Sequence, residues 1–210
     1  MQKIGAVILA AGRSSRFGSP KQLAQFREKT FLQRVVDAAQ EADCSPVVVV
    51  IGSNAARVSR EATMPIVENK NWRKGIGSSI RVGVEYLIGL EPGISAVVLL
   101  VCDQPLLDAE VIANLRVLHQ ETGKEIVASS YADTLGVPAL FARDVFPELL
   151  ALSGEKGAKK IILANQERVA KSPFPGGQLD IDTLADYENL MRETRLLSTR
   201  RREAAPRIRA

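Results

Sequence analysis

Two cysteines, Cys44 and Cys102, and one histidine, His119, are all that the 210 residues hold of the side chains that build disulfide scaffolds and zinc sites. Two thiols are too few for either, and their scarcity fits a reducing cytoplasm. Cys102 sits in an apolar run with no neighbouring cation in sequence, the setting of a buried inert thiol. His119 falls late in a predicted helix with no second histidine to share a metal, and reads as a surface or C-terminal-turn residue. Long apolar runs are missing too. The stretch Ile4 to Ala11 is far too short to cross a bilayer and lacks the layout of a signal peptide, which argues against a membrane partner. Two common phosphate-binding signatures are also absent. No glycine loop ends in Gly-Lys-Ser/Thr, and Gly12 and Gly18 stand six apart, outside a Gly-x-Gly-x-x-Gly pattern.

What is present describes an ordinary globular chain: 46% hydrophobic and 25% charged residues, at a length suited to one domain. A pI of about 9.2 invites a nucleic-acid partner until the charge is located. Residues 192–210 carry seven arginines against two glutamates, a net +5, while the whole chain is +4, so residues 1–191 are left at −1. The body is nearly neutral and nucleic acid is not an expected partner. The basic excess reads as a disordered tail over 193–210, appended to a domain of residues 1–192.

Apolar runs alternate with helical patterns. Lys3 to Ala11, Pro46 to Ile51 and Ala96 to Cys102 read as strands buried on both faces. Met64 to Val67, Lys124 to Ser130 and Val137 to Phe141 are further strands. Phe31, Val35, Val36 and Ala39 share a helix face, and helices follow at 78–90, after Asp108 as N-cap, and near 143–152 and 157–165. Pro173 to Gly177 reads as a turn before a last strand, Leu179 to Asp182, and Thr183-x-x-Asp186 resembles a capping box opening a final helix. Strands separated by helices imply βαβ units and an α/β fold with a doubly wound, mostly parallel sheet and helices on both faces.

In such sheets ligands sit beyond the carboxyl ends of the strands. Three segments there carry chemistry. Leu9 to Lys21 combines small residues, which let backbone N–H groups approach an anion, with Arg13, Arg16 and Lys21 to match its charge; the alternative is a plain strand-to-helix connection with solvated arginines. Asp103 ends the apolar strand Leu99-Leu100-Val101-Cys102, where a bound divalent cation would offset an otherwise costly carboxylate; the alternative is a turn-forming Asp. Asp180 and Asp182 share one face if the segment is extended and suit a shared metal; Asp182 alternatively caps the next helix. Together these describe a site for a nucleoside triphosphate and Mg²⁺.

Leu-Ala-Ala-Gly-x-Ser-x-Arg-x-Gly-x-x-Lys at Leu9 to Lys21 resembles the signature loop of the MobA-like nucleotidyltransferases. Gly75 to Arg81, Cys102 to Leu106, Gly136 to Phe141, Ser153 to Ala158 and Asp180 to Thr183 resemble successive blocks of the molybdenum cofactor cytidylyltransferase branch, so the resemblance spans about residues 4–192. It implies a Rossmann-like enzyme that joins CMP from CTP to the terminal phosphate of a molybdopterin-type cofactor, releases pyrophosphate with Mg²⁺, and serves a recipient molybdoenzyme or its chaperone. By position, Leu9, Ala10, Ala11, Gly12, Arg13, Gly18, Lys21, Ser78 and Ser79 are its nucleotide-binding residues. Lys21, Arg16 and Asp103 are implied as catalytic and Asp103 with Asp182 as metal ligands. Pro138, Gly154, Lys156 and Gly157 fall near the pterin substrate. Guanylyltransferase relatives have Leu-Ala-Gly-Gly where this chain has Leu9-Ala10-Ala11-Gly12, and the alanine form goes with cytidine. The chain departs from many relatives in having Val137 within Gly136-Val137-Pro138 where they have histidine, and Leu184-Ala185 where they have Pro-Glu. Rival readings are a GTP-using or sugar- or alcohol-phosphate transferase of the same fold, and a binding module working through the basic tail.

Overall fold

The computed structural model describes residues 2–204, with side chains described through residue 196. In chain order the elements are β1 (Ile4–Leu9), β2 (Gln25–Phe26), β3 (Lys29–Thr30), α1 (Phe31–Glu41), β4 (Val47–Ile51), α2 (Ala55–Val58), β5 (Ile66–Glu68), α3 (Ile76–Leu90), β6 (Ala96–Val101) and α4 (Ala109–Thr122). They continue with β7 (Ile126–Tyr131), β8 (Thr134–Ala142), α5 (Phe146–Leu150), α6 (Ala158–Ala164), β9 (Val169–Pro173) and α7 (Leu184–Ala204). Seven strands form one sheet in the order β5-β4-β1-β6-β8-β7-β9, and β2 and β3 form a separate small hairpin. Pairing is parallel except where β8 lies between β6 and β7 and runs against both. The interior strand β1 is in register with β4 on one side and with the central strand β6 on the other.

The apolar composition of β1, β4 and β6 follows from this placement, since both faces of the sheet are covered. Strand alternation sorts the side chains: Ala6, Ile8, Val47 and Val49 join the cluster under α1 and α4, whereas Val7, Val48 and Val50 join the one under α3, α5 and α6. Each fully buried Val, Leu or Ile contributes about 1.5–3 kcal/mol. A third cluster of Phe17, Phe26, Phe31, Ile181 and Leu190 lies apart from the sheet and draws together the first loop, the β2–β3 hairpin and α7. Thr30 caps α1 through a reciprocal box with Gln33, and Asp108 caps α4 as its sequence position predicts.

Several expectations differ from the structure. Leu179 to Asp182 is not a strand: Ile181 is buried and its N–H donates to the Asp103 carbonyl at 2.8 Å, but no ladder forms around that one bond. The last strand is β9, an edge strand pairing only with β7; its mixed sequence Val-Ala-Lys-Ser-Pro buries few side chains and so lacks an apolar signature. Helix α7 runs on past residue 192 to Ala204. Leu, Ala, Glu, Met and Arg are helix formers, and no Gly or Pro interrupts residues 184–204; residues 205–210 lie outside the described part. The two strands expected over 124–141 instead form a longer hairpin, turning at Ala132 and Asp133, both at positive φ. His119 is in the last turn of α4, buried rather than on the surface, with Nδ1 2.8 Å from the Lys124 carbonyl.

Candidate active site

A cavity of about 530 Å³ opens beyond the carboxyl ends of β1 and β6. That is the place where parallel α/β sheets take ligands, and the volume is typical of a small-molecule site. One wall is the loop after β1, with Ala11, Gly12, Arg13 and Arg16. The loop is braced from within: the buried Gln22 amide donates to the carbonyls of Ala10 at 2.7 Å and Gly12 at 3.2 Å, and Ser14 Oγ accepts from the Lys21 N–H at 3.2 Å. Phe17 is buried in the third cluster, which leaves the flanking Arg16 at the surface facing Asp182. A side chain at Gly12 would meet nothing within 4 Å, so the cradle there is open to a ligand rather than filled by protein.

Lys21 ties the opposite wall to the loop. Its Nζ donates to Asp103 Oδ2 at 2.8 Å and to Asp182 Oδ1 at 3.0 Å, and Arg16 donates to the other oxygen of Asp182 at 2.8 Å. Burial pulls the Lys21 ammonium down, but Asp103 and Asp182 together outweigh it, so its pKa stands above the ordinary lysine value. The hydrogen bond from Lys21 holds the Asp182 carboxyl below the usual range. Asp180 is pushed up to about 6, first by lost hydration around its carboxyl and then by the charges of Asp103 and Asp182. Asp182 does not cap α7; Thr183 does, exchanging hydrogen bonds with Asp186.

Among the described residues no group of three or more His, Cys, Asp or Glu is arranged to hold a metal. The donors nevertheless suit magnesium or manganese. Two carboxylates converge on one cation, the Lys21 ammonium, and Mg²⁺ is commonly held by one or two carboxylates with waters and substrate phosphates completing its shell. Also among the described residues, no helix is long and apolar enough to cross a membrane.

Of the remaining residues singled out from sequence, Leu9 and Ser79 line the cavity, while Ala10 is buried behind the loop and Gly18 lies beyond the lining residues. Ser78 is buried and turned to its own loop, donating to the Gly75 carbonyl at 2.8 Å. Pro138, Gly154, Lys156 and Gly157 do not line the cavity, but Glu155 between them does. The 153–157 segment is nonetheless bound to the rim, since the Gly154 carbonyl accepts from Gly77 N–H at 3.0 Å and a side chain on Gly75 would strike that carbonyl oxygen at 2.3 Å. Sequence reasoning missed Asn69, whose buried amide donates to both Ser78 and Ser79 at 2.9 Å, and missed Trp72, Arg73 and Ile76 in the lining.

A glycine loop with cations, facing two carboxylates across a cavity at the carboxyl edge of a parallel sheet, defines an α/β nucleotidyltransferase. The chain belongs to the family of the MobA-like NTP transferase domain, which matches residues 6–169. Rv0371c of Mycobacterium tuberculosis H37Rv superposes with a TM-score of 0.78 at 31% identity, covering 91% of this chain and 98% of that one, and has also been solved in complex with manganese. A probable molybdenum cofactor guanylyltransferase of Bacillus mycoides is 31% identical over 127 residues, 60% of this chain. A protein of Paenarthrobacter nicotinovorans named nicotine blue oxidoreductase is 30% identical over 168 residues, covering 74% of this chain and 79% of its own length. The chain spans 60% of the Bacillus protein and only 38% of a bifunctional GlmU of Bifidobacterium animalis, to which it is 29% identical over 175 residues.

Proposed function

We propose that this nucleotidyltransferase joins CMP from CTP to the terminal phosphate of a molybdopterin-type cofactor and releases pyrophosphate. The observation that carries the reading is the contact of Lys21 with both Asp103 and Asp182 across a cavity walled by the Leu9–Lys21 loop. Support for the acceptor comes from the Bacillus relative's name, and for cytidine from Ala11 at the position where the guanylyltransferase relatives carry glycine. That relative's name also favours a second reading, GTP as donor to the same acceptor.

In the proposed reaction the acceptor's phosphate oxygen, already ionised at neutral pH, attacks the α-phosphorus of the nucleotide. The bond from that phosphorus to the bridging oxygen breaks, and pyrophosphate leaves in line with the entering oxygen. Backbone N–H groups of Ala11 and Gly12 with Arg13, Arg16 and Lys21 hold the triphosphate and oppose charge growing on its oxygens, while Gly18, whose N–H donates to the Ser14 carbonyl at 3.2 Å, shapes the loop. Asp103 and Asp182 would hold Mg²⁺, which when bound supplies further charge neutralisation at the phosphates. In this reading the acceptor approaches along the 153–158 segment, whose Glu155 lines the cavity, and toward Pro138. The catalytic unit is residues 1–192, with the basic C-terminal segment outside the chemistry.

Incubation of the full chain with CTP, GTP, UTP or ATP, Mg²⁺ and molybdopterin, following pyrophosphate release, tests the reading. Release with CTP is expected. Release only with GTP, or only with a sugar phosphate in place of molybdopterin, replaces it.

A further inference from the structure

The cavity lining mixes two kinds of group. Lys21, Arg16, Asp103 and Asp182 suit phosphates. The same lining includes Trp72, Arg73, Ile76 and Ala11, and Ile76 is 41% exposed despite its size. Trp72 opens a short 3-10 turn, Trp72–Lys74, between β5 and α3, and its place is unusually constrained. A side chain on Gly52, just past β4, would stand 2.7 Å from Trp72 Cβ, 2.9 Å from its Cγ and 3.0 Å from the Ala11 methyl. Real Cβ atoms essentially never show contacts under 3.0 Å, so the indole occupies this position because residue 52 is glycine. The Arg73 guanidinium lies 4.8 Å from the indole centroid, restraining the ring further.

We propose that Trp72, seated on Gly52 beside Ala11, is a specificity-determining residue that sets which nucleobase the site accepts. The inference rests on the nucleotidyltransferase reading and deepens it. Ala11, in the loop after β1, and Trp72, in the turn between β5 and α3, both reach the same vacant Cβ position over Gly52 and so form one continuous wall. A fixed wall limits depth, which separates a single-ring base from a double-ring one. A residue that only supported the fold would leave this choice unchanged.

Trp72 is the sole tryptophan of the chain, so its emission reports on the wall directly. The full chain with Mg²⁺ is titrated with CTP, GTP and inorganic tripolyphosphate, following tryptophan emission. Affinities for CTP and GTP are then compared by calorimetry for wild type, Trp72→Ala, Trp72→Phe and Gly52→Ala. Nucleotide is expected to change the emission while tripolyphosphate, which carries no base, does not. The CTP-to-GTP affinity ratio is expected to shift at least tenfold in Trp72→Ala, in the same direction in Gly52→Ala, and less in Trp72→Phe. Should Trp72→Ala fail to fold, the other two variants carry the comparison. An unchanged ratio in the folded variants, or an equal response to tripolyphosphate, overturns the proposal. A wild-type preference for GTP that Trp72→Ala still shifts tenfold refutes the cytidine reading and leaves this inference standing.

Discussion

Replacing Asp103 by alanine should separate activity from stability. The Asp103 side chain is 26% exposed and its partner Lys21 14%, so the pair lies between a surface ion pair worth about 0–1 kcal/mol and a buried one whose disruption costs about 3–5 kcal/mol. Lys21 is not orphaned by the change, because Asp182 stays at 3.0 Å. The backbone bond from Ile181 to the Asp103 carbonyl is also kept, since it does not involve the side chain. The cost is therefore about 1–2 kcal/mol, and a domain of this length should lose about 2–8 °C of Tm. Transfer should fall by about 10³ or more, roughly 4 kcal/mol of transition-state stabilisation, if Asp103 organises charge around the transferring group as proposed. Thermal melting by circular dichroism and pyrophosphate release at saturating nucleotide and Mg²⁺ give the two numbers. Full activity with unchanged Mg²⁺ dependence would refute the assignment of Asp103; collapse of the fold at the assay temperature would refute the claim that Asp182 suffices for Lys21.

Gly83→Ala in α3 is expected to destabilise the protein by about 1–3 kcal/mol in denaturant melts. The gain of roughly 1 kcal/mol from replacing a helical glycine is outweighed by a methyl 2.4 Å from Val7 Cγ1 and 2.7 Å from Val50 Cγ2, both on stiff side chains. Thr30→Ala removes one half of the α1 capping box and should cost about 1 kcal/mol in the same melts, with transfer unchanged. Burial pushes the Cys44 thiol up to about 11 and Cys102 higher still, so both stay protonated at pH 8; a disulfide reagent should label neither until denaturant is added. Deleting residues 197–210 should leave pyrophosphate release within about twofold, since Leu190, the α7 residue buried in the third cluster, is retained; loss of transfer would assign the basic segment to the chemistry.

The sequence was most readable where burial is symmetrical. The runs in β1, β4 and β6 are apolar throughout because both sheet faces are covered, and the polar residues that follow them stand at the ligand edge by construction. Lys21, Arg16, Asp103 and Asp182 were all nominated from sequence and are brought together. Elements that bury one side of a short segment were harder. β9 buries only two of its five residues, and Ile181 lies alone among polar neighbours, so alternation around it imitates a strand. The Asn69 amide and the Trp72 indole were missed for another reason. Neither belongs to a periodic pattern, and their roles arise from contacts with Ser78, Ser79 and Gly52, which only the fold brings near. The helix through Ala204 was obscured by its arginines, since charge density was read as disorder while the absence of glycine and proline favoured helix.

The ion pairs of Arg16 and Lys21 with Asp182 join positions 166 and 161 residues apart, and Phe17 and Ile181 share one cluster beside them. Loop closure over such spans is among the slower events of folding. During synthesis the sheet from β1 to β8 can emerge and pair while the second carboxylate is still untranslated. The network around Lys21 is therefore completed late in synthesis, and a nascent or truncated form ending before residue 182 would leave Arg16 and Lys21 without their Asp182 partner.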